Sequence, residues 1–146
     1  MEIVLSAADI NSFSPSTKAE LKAFVFPKSV HSLPPGFGDK AFEKRVDLSP
    51  GDVEEFMRGC ADITVDGLRV VAEKGPCIHA SELDKVGIDN YGQFQGSVTK
   101  RTRTVTRKKD VFLFAWDDWN EEPDGIGHYA VTDDTFRSLR VFFGLE

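Results

Sequence analysis

The strongest chemical signal in the chain is cationic. Lys100, Arg101, Arg103, Arg107, Lys108 and Lys109 stand within ten positions, with no Asp or Glu among them. A merely solvated surface intersperses both signs, so a run of one sign points to a polyanion, and the phosphate backbone of a nucleic acid is one. Directly ahead lie Asn90, Gln93, Gln95 and Ser97. Asn and Gln side chains pair a donor with an acceptor and suit adenine edges, whereas Lys and Arg hold phosphates. Base-reading groups thus come first and phosphate-holding groups follow.

Other chemistries have weaker signals. Asp117, Asp118, Glu121, Glu122 and Asp124 crowd one segment, but the ligand spacing of an EF-hand is absent, and crowded carboxylates at a turn are ordinarily solvated. Cys60, Cys77, His31, His79 and His128 form neither a C-x2-C nor an H-x3-H pair, so no metal or other cofactor is expected. A Cys–His nucleophile pair cannot be placed by sequence, and the chain is read as a non-enzyme with both thiols as small core residues.

Charge is segregated rather than mixed. Of eighteen Lys and Arg, six lie in 100–109, leaving twelve against twenty-four acidic residues elsewhere. A patch of charge +6 is therefore carried on a body of −12, which sums to the formal −6 of the chain. At 146 residues, 40% hydrophobic and 29% charged, the chain suits one globular domain with an extension. No apolar run reaches the roughly 20 residues of a membrane span, and Met1 to Asn11 carries no signal-peptide pattern, so a cytoplasmic location is expected.

Capping chemistry marks the elements that must position these groups. Leu48-Ser49-Pro50-Gly51-Asp52-Val53 has an apolar residue, a Ser cap, an Asp three positions later and an apolar fourth, which predicts a helix from Pro50 to Arg58. Leu5 to Ile10 repeats the pattern and predicts a short helix over 6–13, followed by another from Ser14-Pro15. Residues 27–47, with three prolines and two glycines, read as a linker. A second helix is expected from Thr64 or Val65 to Lys74, then a short strand at Cys77-Ile78-His79. A brief helix from Glu82 to Val86 follows, capped by Ser81 and stopped by Gly87.

Asp89 or Asn90 caps a longer helix over 90–106, whose apolar stripe is Tyr91, Phe94, Val98 and Val105, with Thr102 on the same face. Gly92, Gly96, Lys100, Arg103 and Arg107 recur on another face, small at its start and cationic at its end. Two strands, 110–116 and 127–131, flank the turn signal Pro123-Asp124-Gly125. A final helix runs from Asp133 to Phe143.

This order, carried by HASELDKVGIDNYGQFQGSVTKRTRTVTR, resembles the winged helix-turn-helix domain over about two thirds of the chain. The resemblance implies an α+β, mostly helical fold with a C-terminal β-hairpin wing over 48–146 and an N-terminal helical extension over 1–26. It also implies a double-stranded DNA-binding, regulatory protein, with the extension as a homodimer arm or partner element. Asn90, Gln93, Gln95 and Ser97 would then face bases, and the six cations would face phosphates. The acidic hairpin departs from that pattern, since a wing that enters the minor groove should not carry Asp117, Asp118, Glu121 and Glu122. A protein-interaction module, docking an acidic partner on the basic helix or a partner on the acidic wing, is the alternative.

Overall fold

Helix α1 starts where its cap stands. Ser49 Oγ accepts the Asp52 backbone N–H at 3.1 Å and Asp52 Oδ2 accepts the Ser49 N–H at 3.1 Å, a capping box with Pro50 at the first helical position. α1 spans Pro50–Arg58 and buries Val53, Phe56 and Met57. The computed structural model describes Ser12, Ser14, Leu33, Pro34, residues 36–38 and residues 40–146. The helices expected over 6–13 and from Ser14-Pro15 onward, and with them the 1–26 extension, otherwise lie outside the described residues.

Helix α2, Asp62–Lys74, begins at least two residues before the expected Thr64 or Val65. No side chain caps its start, so that boundary had no sequence signal. Burial holds it instead: Thr64, Leu68, Val70, Val71 and Ala72 face inward. A Cβ at Gly67 would come within 2.6 Å of Phe94 and 2.7 Å of Ile88, so this glycine is what lets α2 lie close to the following helix.

Strand β1, Cys77–His79, runs into a 3-10 helix over Ala80–Val86. Its cap is His79 rather than Ser81. His79 Nδ1 accepts the Ser81 N–H at 3.3 Å and lies 2.6 Å from the Ser81 hydroxyl, while Nε2 lies 3.1 Å from the Ile126 carbonyl. A carbonyl only accepts, so Nε2 carries a proton in this contact. Gly87, at φ 85°, ends the turn in the left-handed region. Helix α3, Tyr91–Thr106, then starts with the Asn90 side chain accepting the Gln93 N–H at 3.0 Å. It buries Phe94, Val98 and Thr102, with Tyr91 and Val105 partly covered, which is the stripe read from spacing.

Strands β2, Ala115–Trp116, and β3, His128–Ala130, are shorter than 110–116 and 127–131. The sheet is antiparallel in the order β1–β3–β2, pairing Ile78 with Tyr129 and Tyr129 with Trp116. Phe112 is diverted from the hairpin: its N–H donates to the Lys44 carbonyl at 3.0 Å and its carbonyl accepts the Val46 N–H at 3.1 Å. The end of the stretch read as linker therefore docks on the domain. Helix α4, Asp133–Phe142, is capped by Thr132. From it Thr135 Oγ1 donates to the Val46 carbonyl and accepts the Leu48 N–H, which ties residues 46–48 to α4. The fold is α+β, and its core gathers Leu48, Val53, Phe56, Leu68, Leu83, Val98, Leu113, Phe114, Tyr129 and Leu139.

Candidate functional site

The outer face of α3 forms the wall of an open groove of about 980 Å³. Gly92, Gly96, Lys100, Arg103 and Arg107, the face read from 4-4-3-4 spacing, all line it, joined by Lys108, Lys109 and Phe112. No carboxylate lines it. Among the described residues none of the six cations in 100–109 forms an ion pair. Among the described residues no carboxylate therefore cancels their charge.

The six are not equivalent. Arg101 Nε donates to the Phe56 carbonyl at 3.0 Å and its Nη2 to the Glu55 carbonyl at 2.5 Å. These carbonyls belong to the last turn of α1, where Phe56 O also accepts the Gly59 N–H at 3.2 Å, and a cation there opposes the negative end of the helix dipole. Gly59 leaves the space that the guanidinium fills. Arg101 is thus a bolt between α1 and α3. Arg103 is partly committed, with Nε donating to the Val111 carbonyl at 3.2 Å and its guanidinium 5.0 Å above the Phe112 ring. Lys100, Arg107, Lys108 and Lys109 are exposed.

Two positions on this groove depart from what local stability favours. Gly96 lies inside α3 with open space where its Cβ would be, so it does not serve packing, and it costs about 1 kcal/mol relative to Ala. Arg107 closes α3 at φ 59° and ψ 31°, a left-handed conformation that glycine adopts freely and other residues adopt at a cost of about 1 kcal/mol or more. Thr102, Thr104 and Thr106 each return their hydroxyl to the carbonyl four residues back, at 2.7, 3.0 and 2.8 Å. Those hydroxyls satisfy the helix itself, and of the three only Thr104 lines the groove.

The expected base-facing residues divide as well. Asn90 is engaged as the α3 cap, and Gln95 Oε1 accepts the Tyr129 hydroxyl at 3.2 Å. Gln93 and Ser97 are exposed, and with Asn90 they border the side of α3 nearer the start of α2, beside Ile63 and Thr64, not the cationic groove. Of the four, only Gln95 lines the groove.

The acidic segment is less a surface than its composition suggests. Asp117 has a fully buried side chain: Oδ1 accepts the His128 N–H at 2.7 Å and Oδ2 lies 2.8 Å from His128 Nδ1. It cannot present charge to a partner, whereas Asp118, Glu121 and Asp124 are exposed. Asp117, Glu122 and His128 each bring a ligand atom within 4.8 Å of one another. Both Asp117 oxygens already engage His128, so this pair latches the segment after β2 to β3. Gly127 is required by that latch, because a Cβ there would meet Asp117 Oδ1 and the Trp119 ring. Burial, and then the Asp117 charge, pushes the Cys77 thiol up to about 11, and burial also raises Cys60, so neither cysteine is poised as a nucleophile.

Residues that sequence reasoning missed sit beside the groove. Arg45 lies 4.8 Å from the Phe112 ring and 4.7 Å from the Trp116 ring, so Arg103, Phe112, Arg45 and Trp116 alternate cation and aromatic. Nothing in the Pro- and Gly-rich stretch around Arg45 marks it. Comparison of the chain with protein-family models, curated proteins and solved structures gave no match in any of the three.

Proposed function

We propose that the chain is a winged helix-turn-helix protein that binds double-stranded DNA through the cationic face of α3, as a small regulatory factor. The observation that carries the reading is the groove itself: five cations and no carboxylate on a protein of formal charge −6. The order of elements and the β1–β3–β2 sheet agree with the domain that the sequence resembles. Gly96 and Arg107 add to it, since both give up local stability on the one face that a phosphate backbone would meet. α3 presents Gly92 and Gly96 for close approach and its later turns for phosphates, while the acidic segment stays off the backbone.

The test is fluorescence anisotropy of a labelled duplex across a salt series. Five neutralised phosphates give a slope of log K on log salt of roughly −4 to −5. Lys100, Arg107 and Lys108→Ala, three exposed side chains with no bond among the described residues, should reduce that slope by roughly three. Duplex that fails to bind at about 50 mM salt, or a slope untouched by the triple change, refutes the reading.

A further inference from the structure

A second cavity, about 610 Å³, opens from the end of the cationic groove, and Gly92 and Gln95 line both. Its chemistry is different. Two indoles, Trp116 and Trp119, stand in its lining, with the Asp118 carboxylate and the Asn120 amide. Each indole is backed by other rings or charge. Trp119 packs against Tyr91 and Tyr129 with centroids 5.8 and 5.2 Å apart, and Trp116 against Arg45 and the edge of Phe112 at 5.6 Å. Trp116 nonetheless remains 37% exposed. Aromatic faces held in place at little entropic cost are what a planar heterocycle stacks on.

The polar groups complete the pattern. Asp118 uses one oxygen to accept the Asn120 N–H at 3.0 Å. Its other oxygen, the Asn120 side chain and the Gln95 amide nitrogen have no partner among the described residues. A carboxylate accepts from the exocyclic amino groups of cytosine, adenine or guanine, and amides complement ring nitrogens and carbonyls. Thymine has no amino group. A phosphate-holding groove that leads into an aromatic cavity with one carboxylate oxygen still open has the layout of a nucleotide: charge at one end, plane and hydrogen-bonding edge at the other.

We propose that this cavity receives one unpaired nucleobase bearing an exocyclic amino group, with its flanking phosphates in the adjoining groove. The inference rests on the groove being the nucleic-acid face, and it gives the acidic segment a role that a wing in the minor groove could not. Because extruding a paired base costs several-fold to many-fold in affinity, the protein prefers DNA that already carries an unpaired base.

Trp116 and Trp119 are the chain's two tryptophans, so its indole fluorescence reports on this cavity. Four probes decide the matter: a short paired duplex, the same duplex with one extrahelical cytosine, the same with one extrahelical thymine, and free deoxycytidine monophosphate. Extrahelical cytosine should quench the indoles and bind about tenfold or more tighter than paired duplex, with thymine weaker. Trp116→Leu should erase that gain, so that its loss of affinity for the extrahelical-cytosine duplex exceeds its loss for paired duplex about tenfold. Asp118→Asn, which keeps the turn's cap, should narrow the preference for cytosine over thymine. Quenching by the free nucleotide as strong as by the extrahelical base would keep the cavity and assign it to mononucleotides. If paired duplex binds and no probe quenches, the cavity proposal is overturned and the DNA reading stands. If no DNA binds, the DNA reading falls and the free nucleotide alone decides the cavity.

Discussion

Gly96→Ala should make the protein more stable and a poorer DNA binder. The residue is interior to α3 and exposed, and the space its Cβ would occupy is empty, so the added methyl meets no atom of the fold. Replacing an interior helical glycine with alanine then contributes about 1 kcal/mol, by restricting the unfolded chain and by better helix propensity. For a unit the size of Leu33–Glu146 this corresponds to a rise in Tm of roughly 4 °C. The same methyl projects into the cationic groove and holds a backbone away from Lys100 and Arg103. Loss of about 1.4 kcal/mol of contact is a tenfold weaker Kd. Urea denaturation and anisotropy on one preparation separate the two effects. A variant that is stabilised yet binds as well as the parent shows that no ligand approaches Gly96, and one that is destabilised shows that the site is not open.

Arg107→Gly should act in the same divided way, relieving the left-handed cap by about 1 kcal/mol while lowering the salt slope by about one, measured in the same two assays. Arg101→Ala should do the opposite. It removes the α3 donor from the Glu55 and Phe56 carbonyls, of which Phe56 keeps the Gly59 N–H, and costs about 1–3 kcal/mol by urea denaturation, with the salt slope nearly unchanged. Alkylation of Cys77 should be slow at neutral pH and accelerate only as pH approaches 11. Since that thiol's folded pKa lies above its ordinary 9.0, its contribution to stability is complete below pH 9 and is lost as pH rises toward 11. Tyr91 and Tyr129, both raised to about 12, extend the loss into stronger alkali, and an alkaline melt series followed by circular dichroism checks the direction.

Local chemistry was the legible part of the sequence. The Ser49–Asp52 box, Gly87 and the Phe94–Val98 stripe each depend on residues within a few positions and stand where spacing put them, and of the two caps offered for α3, Asp89 or Asn90, the structure uses Asn90. What escaped depends on partners distant in the chain. The hairpin is short because Phe112 pairs with residues 44–46, some seventy positions earlier, and no pattern in 110–116 announces that. Asp117 looks like one more acid at a turn until His128 is brought against it. Arg101 and Arg107 look alike in the basic run, yet one binds the end of α1 and the other faces solvent. The cavity of Trp116 and Trp119 needed the sheet to bring Gln95 beside the acidic segment.

The threonines of α3 bear on when the helix exists at all. With two glycines, hydroxyls turned back on its own carbonyls and few strong helix formers, residues 91–106 have little tendency to coil in isolation, and the buried Phe94, Val98 and Thr102 must do the holding. A peptide cut from this segment should be disordered in water and inert toward DNA, whatever its charge. In the intact chain α3 is held by its packing against α1 and α2, so the groove exists only while the domain is folded. DNA binding should then track the thermal melt degree for degree, and a cavity-forming change as remote as Leu68→Ala should weaken binding only through the fraction of chains left unfolded.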